Sequence, residues 1–365
     1  MKITNVTFEG FRWNRPTPIR NGKHTYDFTG IDVVNIETDV GISGIGLIGG
    51  VHEGPEISAA IVDHFKQYLI GQDPLNNELI WDAMWEPKLV GRRGLSTRVI
   101  SGIDIALWDI KGKAANMPLY KLLGGFSSKA PVYIAGGYYE DGKGLKELAE
   151  EMETSVSLGA RAIKMKIGGA PINEDVERVR IVRESIGAEV KLMVDANCAL
   201  DLETSLEFAR LLPQYGVYWF EEPLPIHDYE EHGKLVEAST LKIATGENGY
   251  HLGHFKALLA HKGASILNVD VTICPGYDVA MDVANLAQEN GVSIAPHGCQ
   301  ELQLPLAAAI PHGEFLEYYP VAVDPLRAEM FHPVLKPDHD GCVTVPDRPG
   351  IGFELNMDLL NRYRV

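Results

Sequence analysis

After about residue 130 the chain repeats one pattern: a short apolar or β-branched run, then a longer amphipathic stretch. The runs are VYIAGG (132–137), AIKMKIGG (162–169), KLMVDAN (191–197), VYWFEEP (217–223), KIATGEN (242–248), ILNVDV (266–271), VSIAPHG (292–298) and FLEYY (315–319). Eight strand signals separated mostly by helices point to an α/β fold of the (β/α) barrel kind, not a doubly wound sheet. Such a barrel leaves a surplus in a chain of 365 residues, so a second, smaller domain is expected. Residues 1–10 and 31–48 read as strands, 15–30 as a polar loop and 55–125 as helical, with one helix from Thr97 to Leu123. The expected organisation is an α+β capping domain over 1–128, the barrel over 129–320, and a segment 321–365 that returns to the cap.

The polar residues of these runs cluster at their C-terminal ends. Asp195, Glu221 and Glu247 are successive and 26 residues apart in each case. Strand ends of a barrel converge on its catalytic face. Three carboxylates there repel unless a cation neutralises them, and Mg²⁺ suits an all-oxygen site with open positions. Alternation along the second run points Lys164 and Lys166 to one side and Met165 to the other. Two neighbouring ammonium groups near a cation are expected to depress each other's pKa, which lets one act as a base; otherwise the pair merely neutralises the acids. Asp270 and His297 end neighbouring later strands, where the acid can fix the imidazole tautomer. Glu317 can donate to a substrate carboxylate as a protonated acid, or orient a neighbour. Asn197 can hold a substrate oxygen or form a turn. His251 and His254 lack a third ligand and read as a solvated helix face.

Charge narrows the partners. The formal net charge is −17 with no basic cluster, which disfavours nucleic acid and anionic membrane. Cys198, Cys274, Cys299 and Cys342 form no C-x-x-C pair and read as reduced thiols of a cytoplasmic protein. The first residues carry no apolar signal core, and no run reaches the length of a membrane span.

Taken together, IDIALWDIKGKAANMPLYKLLGG (103–125), KMK, VDAN, FEEP, TGEN, NVD, APHG, LEYYP and the tail DGCVTVPDRPGIGFEL resemble the mandelate racemase subgroup of the enolase superfamily over essentially the whole chain. The resemblance implies an enolase-type barrel with one Mg²⁺ per subunit on Asp195, Glu221 and Glu247. It implies Lys166 as the base on one face, Lys164 as its charge-neutralising neighbour, the His297–Asp270 dyad opposite, and Glu317 as the electrophilic acid. A Lys or His base with magnesium is this superfamily's documented chemistry. The second lysine base of muconate-lactonizing relatives has no match, since the sixth strand reads Asn268-Val269-Asp270. VTICPGYD after Asp270 departs from the usual Arg- and Gly-rich continuation.

The resemblance also places loops 15–30 and 49–56 over the barrel mouth, with Arg20, Lys23, His24, Tyr26 and His52 as substrate contacts. Such donors suit a polyhydroxylated acid, whose hydroxyls need partners, better than an aromatic one. The expected reaction is proton abstraction beside a carboxylate, giving an enediolate, then dehydration of an aldonate or aldarate to a 2-keto-3-deoxy acid. Racemisation or epimerisation of a 2-hydroxy acid and opening of a sugar-acid lactone use the same residues. A non-catalytic ligand-binding barrel is expected to have lost part of the ring, yet every position is filled. A homo-oligomer, from dimer to octamer, is expected by family analogy.

Overall fold

The computed structural model describes residues 1–50, 54–86 and 94–365. The capping domain starts with a long hairpin, β1 (Ile3–Arg20) and β2 (Thr25–Thr38), and β3 (Ser43–Ile48) adds antiparallel to β2. The helices α1 (Pro55–Leu69) and α3 (Leu95–Ala114) pack on this sheet, and α2 (Asn77–Trp85) packs against both of them. Their shared core includes Val6, Val34, Ile36, Phe65, Val99 and Ile103.

Two expectations for this domain need correction. Residues 15–30 are not an open loop, because β1 and β2 stay paired as far as Arg20 and Thr25. Pro, Gly and Asn in this stretch mask the alternation of half-buried Tyr26 and Phe28 with exposed Thr25 and Asp27. Pro16 and Pro18 lack an N–H, and they sit in the irregular stretch between Asn14 and Ile19 where the register shifts. The single helix expected from Thr97 to Leu123 is two. α3 stops at Ala114, Asn116 adopts a left-handed φ of 51°, and α4 (Leu119–Leu123) begins after Pro118. Proline disfavours helical backbone in the residue before it, and Asn tolerates the left-handed turn.

All eight expected barrel strands are present: β4 (Lys129–Gly136), β5 (Ala162–Lys166), β6 (Lys191–Asp195), β7 (Val217–Glu221), β8 (Lys242–Thr245), β9 (Ile266–Leu267), β10 (Ser293–Ile294) and β11 (Leu316–Tyr318). They form a curled parallel sheet in the order β10-β9-β8-β7-β6-β5-β4-β11. A bridge between Ile294 and Gly313 links its two ends. The connecting helices are α5 (Leu145–Ser157), α6 (Ile172–Ile186), α7 (Leu202–Leu211), α8 (Tyr229–Ala238), α9 (Leu252–Ala260), α10 (Gly276–Glu289) and α11 (Gln300–Ala309). Outward residues such as Ile163, Met165, Val194 and Phe220 pack in the helical layer. Inward Tyr133, Met193, Trp219 and Ile266 fill the barrel interior. This period-2 split gives Met165 and Lys164 opposite faces.

After Pro320 the chain touches both parts. β12 (Phe331–His332) pairs with Glu354–Leu355, and β13 (Cys342–Thr344) runs antiparallel to β4. The Leu119 N–H donates to Gly350 O at 2.7 Å, and the Val365 N–H donates to Gly10 O at 3.0 Å. No helix among the described residues is long and apolar enough to cross a membrane.

The cap core depends on a close approach of β3 to α3. A Cβ at Gly46 would lie 1.8 Å from Gly102 O, and one at Gly44 2.1 Å from Ala106 O. Backbone cannot yield as a flexible side chain does, so Gly46→Ala is expected to destabilise the fold by about 1–3 kcal/mol, the usual cost of overpacking. Urea unfolding of the two proteins measures this.

Candidate active site

The parallel register assembles the ring. Lys166 on β5 is level with Asp195 on β6, and Asp195 is level with Glu221 on β7. Glu247 lies two residues beyond β8. Ligand oxygens of Asp195, Glu221 and Glu247 all lie within 4.8 Å of one another, and all three side chains are buried. The Glu247 Oε2 atom is buried and accepts no hydrogen bond. A compact, buried, all-oxygen trio with an unsatisfied oxygen fits a hard divalent cation.

The two lysines are clamped by these acids. Lys166 Nζ is 2.5 Å from Asp195 Oδ2. Lys164 Nζ is 3.4 Å from Asp195 Oδ2 and 3.0 Å from Glu317 Oε1, and it also pairs with Glu221. The expected mutual depression is present, since Lys164 works to lower Lys166, but among the protein's own groups it is outweighed. Burial works to lower both, but Asp195 beside Lys166 and Glu221 beside Lys164 outweigh it and hold both above the ordinary lysine range. The nearest carboxylates are closer to each ammonium than the two ammonium groups' mutual repulsion can offset. Glu221 is pushed up to about 8 by burial, which outweighs Lys164. Glu317 goes the other way: burial would raise it, but Lys164 and then His297 bring it down to about 2. Among the protein's own groups, Lys164 and His297 thus favour the ionised form of Glu317, which suits the second of its two expected roles, orienting a neighbour.

Past the end of β10, His297 Nδ1 lies 2.9 Å from Asp270 Oδ2. Its Nε2 faces Glu247 Oε2 at 3.4 Å and Glu317 Oε2 at 3.5 Å. Burial lowers the imidazole pKa, yet Glu247, Glu317 and Asp270 together raise it to about 10. Asn197 belongs to the ring: its N–H donates to Asp195 Oδ1 at 2.9 Å, and its own buried Oδ1 accepts no hydrogen bond. Its φ of 45°, with φ of 58° at Cys198 and 41° at Glu222, puts left-handed backbone at the exits of β6 and β7. Such strain collects at functional sites.

The expected cap contacts divide. Tyr26 is half-buried, and its hydroxyl accepts from Asn21 Nδ2 at 3.1 Å. Burial and then Tyr138 push it up to about 12, against the pull of Lys166, and it packs against the cluster of Ile19, Tyr138 and Val323. Arg20 does not turn to the ring: its guanidinium lies over the Tyr139 ring at 5.4 Å, beside a cavity of about 660 Å³ between the starts of α5 and α6. Lys23 and His24 are exposed; their backbone N–H groups donate to Asn21 Oδ1, which shapes the hairpin tip. That tip is a tight turn, so these side chains project outward. His52 lies outside the described residues. His254 is buried, not solvated, and its Nδ1 is 3.1 Å from Tyr229 Oη.

Several residues were not anticipated. Tyr319 Oη donates to Glu317 Oε2 at 2.9 Å and lies 3.5 Å from His297 Nε2. It stands two residues after Glu317 in LEYYP, so strand alternation could have found it. The Lys166 ammonium lies 5.1 Å above the Tyr138 ring. Glu222, the second acid of FEEP, is buried beside the trio and accepts from Asn248 Nδ2 at 3.1 Å. Thr272 and Gln303 both donate to Asp270.

Comparisons with known proteins agree with this arrangement. Residues 3–124 match the model of the mandelate racemase / muconate lactonizing enzyme N-terminal domain, and residues 147–359 match the enolase C-terminal domain-like model. The chain is 34% identical to arabinonate dehydratase of Saccharolobus solfataricus, over 92% of this chain and 90% of that one. It is 35% identical to 3,6-anhydro-alpha-L-galactonate cycloisomerase of Streptomyces coelicolor, over 100% of this chain and 99% of that one. The crystal structure of a racemase from Streptomyces coelicolor A3(2) with bound magnesium superimposes with a TM-score of 0.93 at 33% identity, covering 100% of both chains.

The trio makes a direct prediction. Titration with MgCl₂ in a calorimeter is expected to show one site per chain. Glu247→Gln is expected to weaken it about 10-fold or more, since even the outer partners of a metal ligand are worth about 10–100-fold. With the whole chain matched from cap to barrel and the ring complete, this protein is a member of the enolase superfamily, in its mandelate racemase / muconate lactonizing subgroup.

Proposed function

We propose that the protein is a Mg²⁺-dependent acid-sugar dehydratase that converts an aldonate or aldarate to a 2-keto-3-deoxy acid. The observation that carries this reading is a lysine and a histidine–aspartate pair that both reach a buried carboxylate trio, the lysine at Asp195 and the histidine at Glu247. A divalent cation on Asp195, Glu221 and Glu247 supplies positive charge for the substrate's carboxylate oxygens.

The chain's own residues supply the rest. Asp195 is both a ligand of the trio and the partner of Lys166, so its engagement as a ligand frees Lys166 to take the proton beside the carboxylate. Lys164, buried and held by Glu221 and Glu317, stays charged and faces the negative charge that develops there. His297, held by Asp270 at Nδ1, presents Nε2 and delivers a proton to the departing 3-hydroxyl. Tyr26 of the cap hairpin and Asn197 offer hydroxyl and amide partners to a polyhydroxylated substrate. The similarity to arabinonate dehydratase supports the acid-sugar class.

Opening of a sugar-acid lactone or anhydro ring is the second reading, supported by the equally similar cycloisomerase. There the ring oxygen, not water, is the leaving group at the same two catalytic faces.

The test is a panel of aldonates, aldarates and their lactones, with purified protein and Mg²⁺, scored by keto-acid formation. Lys166→Ala and His297→Asn are each expected to reduce turnover by about 10²–10⁴-fold or more, the typical worth of a positioned acid or base. Solvent deuterium in recovered substrate without loss of water would select a racemase. An active His297→Asn variant would sink the assigned roles.

A further inference from the structure

The segment VTICPGYD, which links β9 to α10, has no part in the ring itself. It follows Asp270 directly, and the capping domain grips it along its length. The Gly49 N–H donates to Thr272 O at 3.2 Å. Ser101 Oγ donates to Cys274 O, and Trp81 Nε1 donates to Pro275 O at 3.1 Å. Asp104 Oδ2 accepts from the Tyr277 N–H at 2.7 Å and so caps α10 from the other domain.

At its start this segment also wraps Asp270. The Thr272 N–H and Thr272 Oγ1 both donate to Asp270 Oδ1 at 2.7 Å, and Gln303 Nε2 of α11 donates to the same oxygen at 2.6 Å. Gln303 Oε1 accepts from the Val271 N–H at 3.2 Å, which fixes the amide so that its donor faces the carboxylate. Asp270, Val271, Thr272 and Gln303 are all buried. With Oδ1 saturated, Oδ2 is the atom left for His297 Nδ1. Thr272 in turn is hemmed in by the cap: a Cβ at Gly49 would lie 1.9 Å from Thr272 Oγ1.

We propose that Thr272 and Gln303 are positioning residues of the Asp270–His297 pair, and that Gly49 of the capping domain holds Thr272 in place, so that the pair's geometry is set across the domain boundary. The proposal rests on the reading of Asp270 and His297 as one functional unit. Physically, three neutral donors fix one carboxylate oxygen and thereby aim the other, as the outer partners of a catalytic or metal-bound histidine do elsewhere.

The test reads the hydrogen bond itself and needs no substrate. Proton NMR of the full-length, Mg²⁺-loaded protein is expected to show a far-downfield His297 Nδ1–H resonance, assigned by its loss in His297→Asn. Thr272→Val keeps the side-chain shape but removes the hydroxyl, and Gln303→Met removes the amide. Each is expected to move that resonance upfield and to speed its exchange with water, with Mg²⁺ affinity unchanged. Gly49→Ala, a change in the other domain, is expected to move it the same way. An unmoved resonance in the folded Thr272→Val or Gln303→Met protein, or a wild type without that proton, overturns the positioning role. An unmoved resonance in Gly49→Ala overturns the control from the cap. Turnover plays no part in the readout, so failure of the dehydratase assignment leaves these outcomes intact.

Discussion

The buried negative charge at the barrel mouth constrains everything around it. Asp195, Glu221, Glu222, Glu247, Asp270 and Glu317 converge there, all buried. Burying an ion costs several kcal/mol unless it is paired, about as much as half the net stability of an ordinary domain. Lys164, Lys166 and His297 answer part of that charge. The remaining excess of carboxylates is what a divalent cation at the trio would offset. A site of this kind holds its cations, and a carboxylate substrate, by the same balance.

That balance also explains the protonation pattern. The same desolvation acts on every group, and the balance with the surrounding charges decides the direction. Burial raises Glu221 beyond what Lys164 takes back, with Asp195 and Glu247 adding to the rise, while Lys164 and His297 together overcome burial at Glu317. Among the protein's own groups, these carboxylates hold both lysines in their charged form. The cap contributes too: the hairpin packs Tyr26 against Tyr138, and Gly49 and Ser101 hold the chain that leaves Asp270.

The barrel and the ring were legible in the sequence because both follow from period-2 alternation. Strand ends that carry Lys166, Asp195 and Glu221 fall level in the sheet, as their equivalent positions in successive runs require. The hairpin tip was not legible. Its strands reach past the cap core, so prolines, a glycine and polar side chains hide the pairing of Arg20 with Thr25. Arg20 lies over Tyr139, and Lys23 and His24 are exposed at the tip, a placement hidden for the same reason, since the direction of a side chain at a turn is not written in its residue type. Thr272 and Gln303 lie 2 and 33 residues from Asp270, and only the fold brings both to one oxygen. The direction of the pKa shifts was also out of reach, because it depends on which carboxylate is nearest.

The central claim is that Lys166 and His297 have separate tasks on opposite sides of one site. The most direct measurement is exchange of the substrate's α-hydrogen with solvent deuterium in the His297→Asn protein, on a sugar acid that the wild type turns over. If Lys166 takes the proton and His297 serves only the later step, exchange continues while keto acid no longer forms. Loss of exchange in His297→Asn, with exchange retained in Lys166→Ala, would contradict the account.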